Sequence, residues 1–110
     1  MIRRGGMEFR SPDSFTLWTE MTVSLRAPDN GVVNCAGVRE IGDVYSLPAQ
    51  EWENVVAINL SGTFYCCHFA VPEIAKAGGG SIVNTASSMA HVPLGGLDGY
   101  AASKGGVAQL

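Results

Sequence analysis

Two short apolar runs, Gly31-Val32-Val33-Asn34 and Ser81-Ile82-Val83-Asn84, flank one long helical stretch, and this pattern constrains the chain more than any other. A short unbroken apolar run suits a strand buried on both faces, as in a parallel sheet. Between the runs, Trp52, Val55, Val56, Leu60, Phe64, Cys67, Val71 and Ile74 recur at steps of mostly three or four, the stripe of a core-facing helix. The spacing predicts a helix from about Leu47 to Lys76, with Ser46 as its cap, Pro48 in its first turn and Gly78-Gly79-Gly80 as its stop. A loop with Pro93, Gly95 and Gly96 precedes a last helix through Ala101, Ala102, Val107 and Ala108, for which Asp98 is the expected cap. Strand, helix, strand, helix is a βαβα unit, which implies a parallel sheet and a right-handed crossover.

The first thirty residues read less clearly. Phe15, Leu17, Met21, Val23 and Leu25 alternate as in a strand, while Phe15, Trp18, Thr22 and Leu25 would equally make one helix face. Ala27-Pro28-Asp29-Asn30 is a turn signal. The organisation expected is therefore an unassigned segment 1–30 followed by a partial α/β domain over 31–110.

Composition excludes several classes. With 46% hydrophobic and 15% charged residues the chain can bury a core, so wholesale disorder is excluded. The net charge is −3 and the seven basic residues are scattered, which argues against a nucleic-acid partner. The uncharged Asn54–Pro72 stretch has a membrane-span length, but Asn59, Ser61, Thr63 and His68 within it favour a buried soluble helix. Cys35, Cys66 and Cys67 do not form a disulfide framework, and reduced thiols fit a cytoplasmic protein. Cys66, Cys67 and His68 are consecutive on one helix and cannot converge on a metal ion.

Two features of the long helix bear on function. Asn59 lies within the core stripe, where a buried amide needs partners. Those partners are either structural backbone or a water near a site. A second stripe, Ile58, Gly62, Tyr65 and Phe69, calls for cover on another face, by a subunit or by a further helix.

Chemistry concentrates after the second run. Ser87 lies at its end, and Tyr100 and Lys104 share one face of the last helix one turn apart. Free tyrosine is a poor base near neutral pH, and a cation within ~4–6 Å favours the phenolate. The pair suits general acid/base work, with Ser87 hydrogen-bonding a substrate oxygen. Ser87 precedes Tyr100 by 13 positions and Asn59 precedes it by 41.

At these spacings the segments VVNCAG (32–37), INLSGTF (58–64), GGGSIVNTASS (78–88) and YAASKGGVAQL (100–110) resemble the short-chain dehydrogenase/reductase family over roughly residues 30–110. The resemblance implies part of a Rossmann-like doubly wound domain and an NAD- or NADP-dependent oxidoreductase interconverting an alcohol and a ketone. It implies Tyr100 as catalytic acid/base, Lys104 as the cation that supports it and holds the nicotinamide ribose, Ser87 as the group polarising the reacting oxygen, and Asn59 as the anchor of a water relay. Asn34, Ala36 and Gly37 match the turn beside the cofactor, with Cys35 replacing that turn's second Asn. The two helices imply a homo-oligomer.

The family's TGxxxGxG turn, which cradles the pyrophosphate, has no counterpart in these 110 residues, and neither has the substrate lid. The expectation is an internal fragment. The alternative is a truncated, non-catalytic relic or a helix-mediated interaction module.

Overall fold

Val32 and Asn34 turn to one face of their strand and are buried, whereas Val33 turns to the other and is 41% exposed. The structure, a computed structural model, describes residues 31–110 throughout and, within residues 1–30, the backbone of the strands β1 (Ile2–Arg3), β2 (Gly6–Glu8) and β3 (Thr22–Ala27). The first apolar run is β4 (Gly31–Asn34) and the second is β5 (Ser81–Asn84).

The sheet order is β1-β2-β3-β4-β5. β4 and β5 pair in parallel, from Gly31 opposite Ser81 to Asn34 opposite Asn84, which confirms the crossover. The burial of both faces expected for these strands is not met: Val83, like Val33, lies on an uncovered face. β3 pairs antiparallel with β4, Ala27 opposite Gly31. Only residues 28–30 separate these strands, far too few for a parallel crossover. Val23 and Leu25 thus fit the strand reading. Phe15, Leu17, Trp18, Met21 and the turn residues Pro28–Asn30 lie outside the described residues.

The long helix is continuous from Ala49 to Lys76 but has an inserted turn. It consists of α1 (Ala49–Val56), a π-helical turn (Ala57–Ser61) and α2 (Gly62–Lys76). By length and composition alone it could cross a membrane, yet Asn59, Thr63, Cys66 and Ala70 along it are buried within the fold.

Ser46 does not cap this helix. Its hydroxyl donates to Asp43 Oδ1 (2.8 Å), in a local turn that also takes the Tyr45 and Ser46 amides, and the helix begins after Pro48. The stop matches expectation. Gly78 and Gly79 adopt positive φ, Gly79 N–H donates to Ile74 C=O and Gly78 N–H to Ala75 C=O, a Schellman ending.

The buried face of the helix differs from the predicted stripe. Val55, Asn59, Gly62, Thr63, Cys66 and Ala70 face inward, while Trp52, Phe64 and Val71 are 42–54% exposed. Cys66 and Ala70 pack on Val32 of β4, with Ile74 and Ile82 against them. Small side chains let the helix lie close to the sheet. Tyr65 and Phe69 of the second stripe are half exposed, and Phe64 stacks on His68 at 5.8 Å, on the outer surface. Cys66, Cys67 and His68 point respectively inward, toward Asn84, and outward.

The last helix, α3 (Asp98–Gln109), packs against α1 and the π turn. Asp98 is its first residue and not its cap; its Oδ2 accepts the Val44 amide (2.8 Å) instead.

Candidate active site

The loops that leave the carboxyl ends of β4 and β5 meet, as parallel strands require at such a crevice. Thr85 N–H donates to Asn34 C=O (2.8 Å), and Gly42 N–H to Gly96 C=O (2.9 Å). Gly42 and Leu97 form an isolated bridge. The start of α3 is thereby set beside the turn after β4.

Asn59 ties these elements together. It is completely buried; its Oδ1 accepts Val38 N–H (2.8 Å), and its Nδ2 donates to Val38 C=O (2.8 Å) and to Ser103 Oγ (2.9 Å). Both amide donors are thus used structurally. A water at Asn59 would have to rest on the remaining acceptor capacity of Oδ1 or of its main-chain oxygen. The π turn centred here frees main-chain groups, and Thr63 Oγ1 donates to Asn59 C=O (2.7 Å).

Lys104 is 3% exposed and donates from Nζ to Thr85 C=O (2.8 Å). Burial lowers its pKa below the usual lysine value, and Cys35 opposes that shift. Nζ lies 5.9 Å from the centre of the Tyr100 ring, so the helical spacing does bring ammonium and phenol together. Gly37 completes the cluster. A Cβ built there would sit 3.3 Å from Lys104 Nζ and 3.4 Å from Asn59 Oδ1, so the backbone approaches both as only glycine comfortably allows.

Ser87 caps a short 3-10 turn (Ser88–Ala90), its Oγ accepting Met89 N–H (3.2 Å), and that turn packs on α3. Asn34 is buried with its Nδ2 donating to Asn84 Oδ1 (2.8 Å), so its amide links the parallel strands. Ala36 is half-buried and Cys35 exposed in the turn leading to Gly37. His91 is exposed.

Two further polar residues belong to the site, Ser103 inside the YAASKGGVAQL segment and Glu40 outside any quoted segment. Ser103 is 1% exposed, accepts from Asn59 and donates to Tyr100 C=O (2.8 Å). Glu40 is 5% exposed and its Oε1 accepts Tyr100 N–H (2.9 Å). The only sequence signal for Ser103 is its place beside Lys104 on a short apolar helix; Glu40 has none.

Known proteins resemble this chain in sequence and fold. Residues 19–110 match the family model described as short chain dehydrogenase, which reaches further toward the N-terminus than the four motif segments. The chain belongs to the short-chain dehydrogenase family. It is 36% identical over 100 residues to a cyclohexanol dehydrogenase of Acinetobacter sp. strain SE19, covering 90% of this chain and 40% of that protein. It is 46% identical over 76 residues to a D-threitol dehydrogenase of Mycolicibacterium smegmatis, covering 69% and 29%. The ligand-free aldohexose dehydrogenase of Thermoplasma acidophilum superposes with a TM-score of 0.70 at 31% identity, over 73% of this chain and 31% of that one. This short-chain dehydrogenase chain spans about a third of the length of the curated relatives it matches.

The family implies a nicotinamide cofactor, and the residues present fit its nicotinamide-ribose half. Lys104 has three N–H donors and places one on Thr85, which leaves two for the hydroxyls of a ribose.

Proposed function

We propose that this chain carries the catalytic segment of an NAD(P)-dependent oxidoreductase that interconverts an alcohol and a ketone. The observation that supports the reading most is the buried Lys104 ammonium beside the Tyr100 ring, with Asn59 and Gly37 closing on the same point. Lys104, Tyr100, Gly37 and Ala36 would hold the nicotinamide ribose; Asn34 would contribute by fixing the strand end. When bound, the nicotinamide supplies the site that accepts or gives hydride.

The chain's residues handle the proton. In oxidation, Tyr100 Oη takes the proton of the substrate hydroxyl as the carbonyl forms; in reduction it returns a proton to the new alkoxide. Lys104 sets its ammonium beside the Tyr100 ring. Ser87 Oγ donates to the reacting oxygen and positions it. Asn59 holds a water on its acceptor atoms to pass the proton onward. The three free cysteines support a cytoplasmic location, and the half-exposed Phe64, Tyr65 and Phe69 support a homo-oligomer through the two long helices.

A chimera tests the reading. Residues 19–110 replace the matching segment of the Acinetobacter cyclohexanol dehydrogenase, and absorbance of the reduced nicotinamide is followed with secondary alcohols and either cofactor. The expectation is turnover that Tyr100→Phe lowers by at least ~10². Equal turnover with and without the Tyr100 hydroxyl would remove Tyr100 from the chemistry.

A further inference from the structure

We propose that Glu40 is a positioning residue for Tyr100, holding the head of α3 through the Tyr100 amide; this rests on the reading of Tyr100 as the proton-transfer group. A carboxylate is costly to bury, yet Glu40, three residues beyond the VVNCAG segment, is 5% exposed. Its Oε1 accepts Tyr100 N–H at 2.9 Å, and its Oε2 is buried with no hydrogen-bond donor among the described residues. The carboxylate is therefore held chiefly by that one amide and by the positive end of α3.

The helix needs this support. The residue preceding α3, Leu97, supplies no side-chain cap, and Asp98 is engaged with Val44. Glu40 caps α3 from sixty positions away in sequence. On the other side of the same residue, Tyr100 C=O accepts from Ser103 Oγ, itself held by Asn59. Both main-chain polar groups of Tyr100 are thus gripped by side chains, one from the turn after β4 and one anchored on the π turn. Gly99 is shaped to the carboxylate: a Cβ there would lie 2.9 Å from Glu40 Oε1 and 3.2 Å from Leu47 Cδ2. Glu40 lies three residues after Gly37 in the segment that follows β4, so this contact helps fix the Gly37 backbone relative to Tyr100. A reacting group displaced by ~1 Å can lose ~10²-fold in rate.

The test uses Glu40→Ala, Glu40→Gln and Gly99→Ala. Amide hydrogen exchange at Tyr100 is measured by NMR on the isotope-labelled full chain. Glu40→Ala and Gly99→Ala are expected to speed Tyr100 exchange by about tenfold, the loss of one such hydrogen bond. Ala108, near the other end of α3, keeps its rate. Glu40→Gln retains the acceptor and restores the parent rate. In the chimera described above, Glu40→Ala is expected to lower kcat by about tenfold with KM within about twofold, and Glu40→Gln to recover it.

Unchanged Tyr100 exchange in Glu40→Ala, or equal losses in the Gln and Ala variants, would overturn the proposal. So would an unchanged kcat in Glu40→Ala. Should Glu40→Ala fail to fold, Gly99→Ala and Glu40→Gln carry the comparison. A parent chimera without Tyr100-dependent turnover refutes the dehydrogenase reading itself. The exchange experiment then decides alone whether Glu40 holds Tyr100.

Discussion

Replacing Asn59 by alanine should cost this fold more than any other single polar substitution in the site. The side chain is wholly buried and makes three hydrogen bonds, two to the main chain of Val38 and one to Ser103. Truncation leaves Val38 N–H and C=O without partners, at ~1–3 kcal/mol each. The Ser103 hydroxyl keeps its bond to Tyr100 C=O and can rotate, so its loss is smaller, at ~0.5 kcal/mol. The total is ~2.5–6.5 kcal/mol, large against the ~5–15 kcal/mol that stabilises ordinary domains. For a chain of this size each kcal/mol moves the thermal midpoint by ~4–8 °C, so a fall of at least ~10 °C is expected. Urea unfolding of parent and variant, with the midpoint and slope fitted separately, measures the loss directly. Gln50→Ala provides the baseline, because its exposed partner Asn54 lies on the same helix and the cost should stay within ~0.5 kcal/mol. A loss below ~1 kcal/mol for Asn59→Ala, at unchanged slope, would show that water reaches Val38 and that the three bonds do not hold the turn to the helix.

Further substitutions probe the neighbouring contacts. Thr63→Val removes the hydroxyl that satisfies Asn59 C=O and should lower stability by ~1 kcal/mol in the same assay. Burial, aided by Cys67, pushes the Cys66 thiol up to about 11 from 9.0; its stabilising contribution is fully present below pH 9 and is lost as pH rises through 11. Urea midpoints across that window should fall less steeply in Cys66→Ala. Lys104 has the opposite sign. Its folded pKa lies below 10.5, so the unfolded chain binds more protons over the intervening pH range and stability rises as pH climbs toward 10.5. That rise should be absent in Lys104→Met.

Legibility depends on the kind of information each residue carries. β4 and β5 are readable because a buried strand needs a local apolar run, and Val32 and Ile82 sit in such runs. Tyr100 and Lys104 are readable because four residues of helix fix their neighbourhood whatever surrounds them. The inward face of the long helix is not readable in this way, because apolar size does not decide orientation. Cys66 and Ala70 face the sheet, where little space exists, and the bulkier Phe64 and Val71 turn outward. The π turn adds to the discrepancy, since its extra residue breaks the 3.6-residue phase at Asn59, in the middle of the predicted stripe. Asn59 itself presents a choice between structural amide and functional water holder. The structure gives its Nδ2 donors wholly to Val38 and Ser103, leaving only acceptor atoms for the second role. The roles of Glu40 and Ser103 are not legible in the sequence for a related reason. Glu40 belongs to no quoted segment and Ser103 only neighbours Lys104 within one; each acquires its role from a partner brought near by the crossover, Tyr100 in one case and Asn59 in the other. A motif supplies the groups that react, whereas the groups that hold them depend on how distant segments of the chain meet.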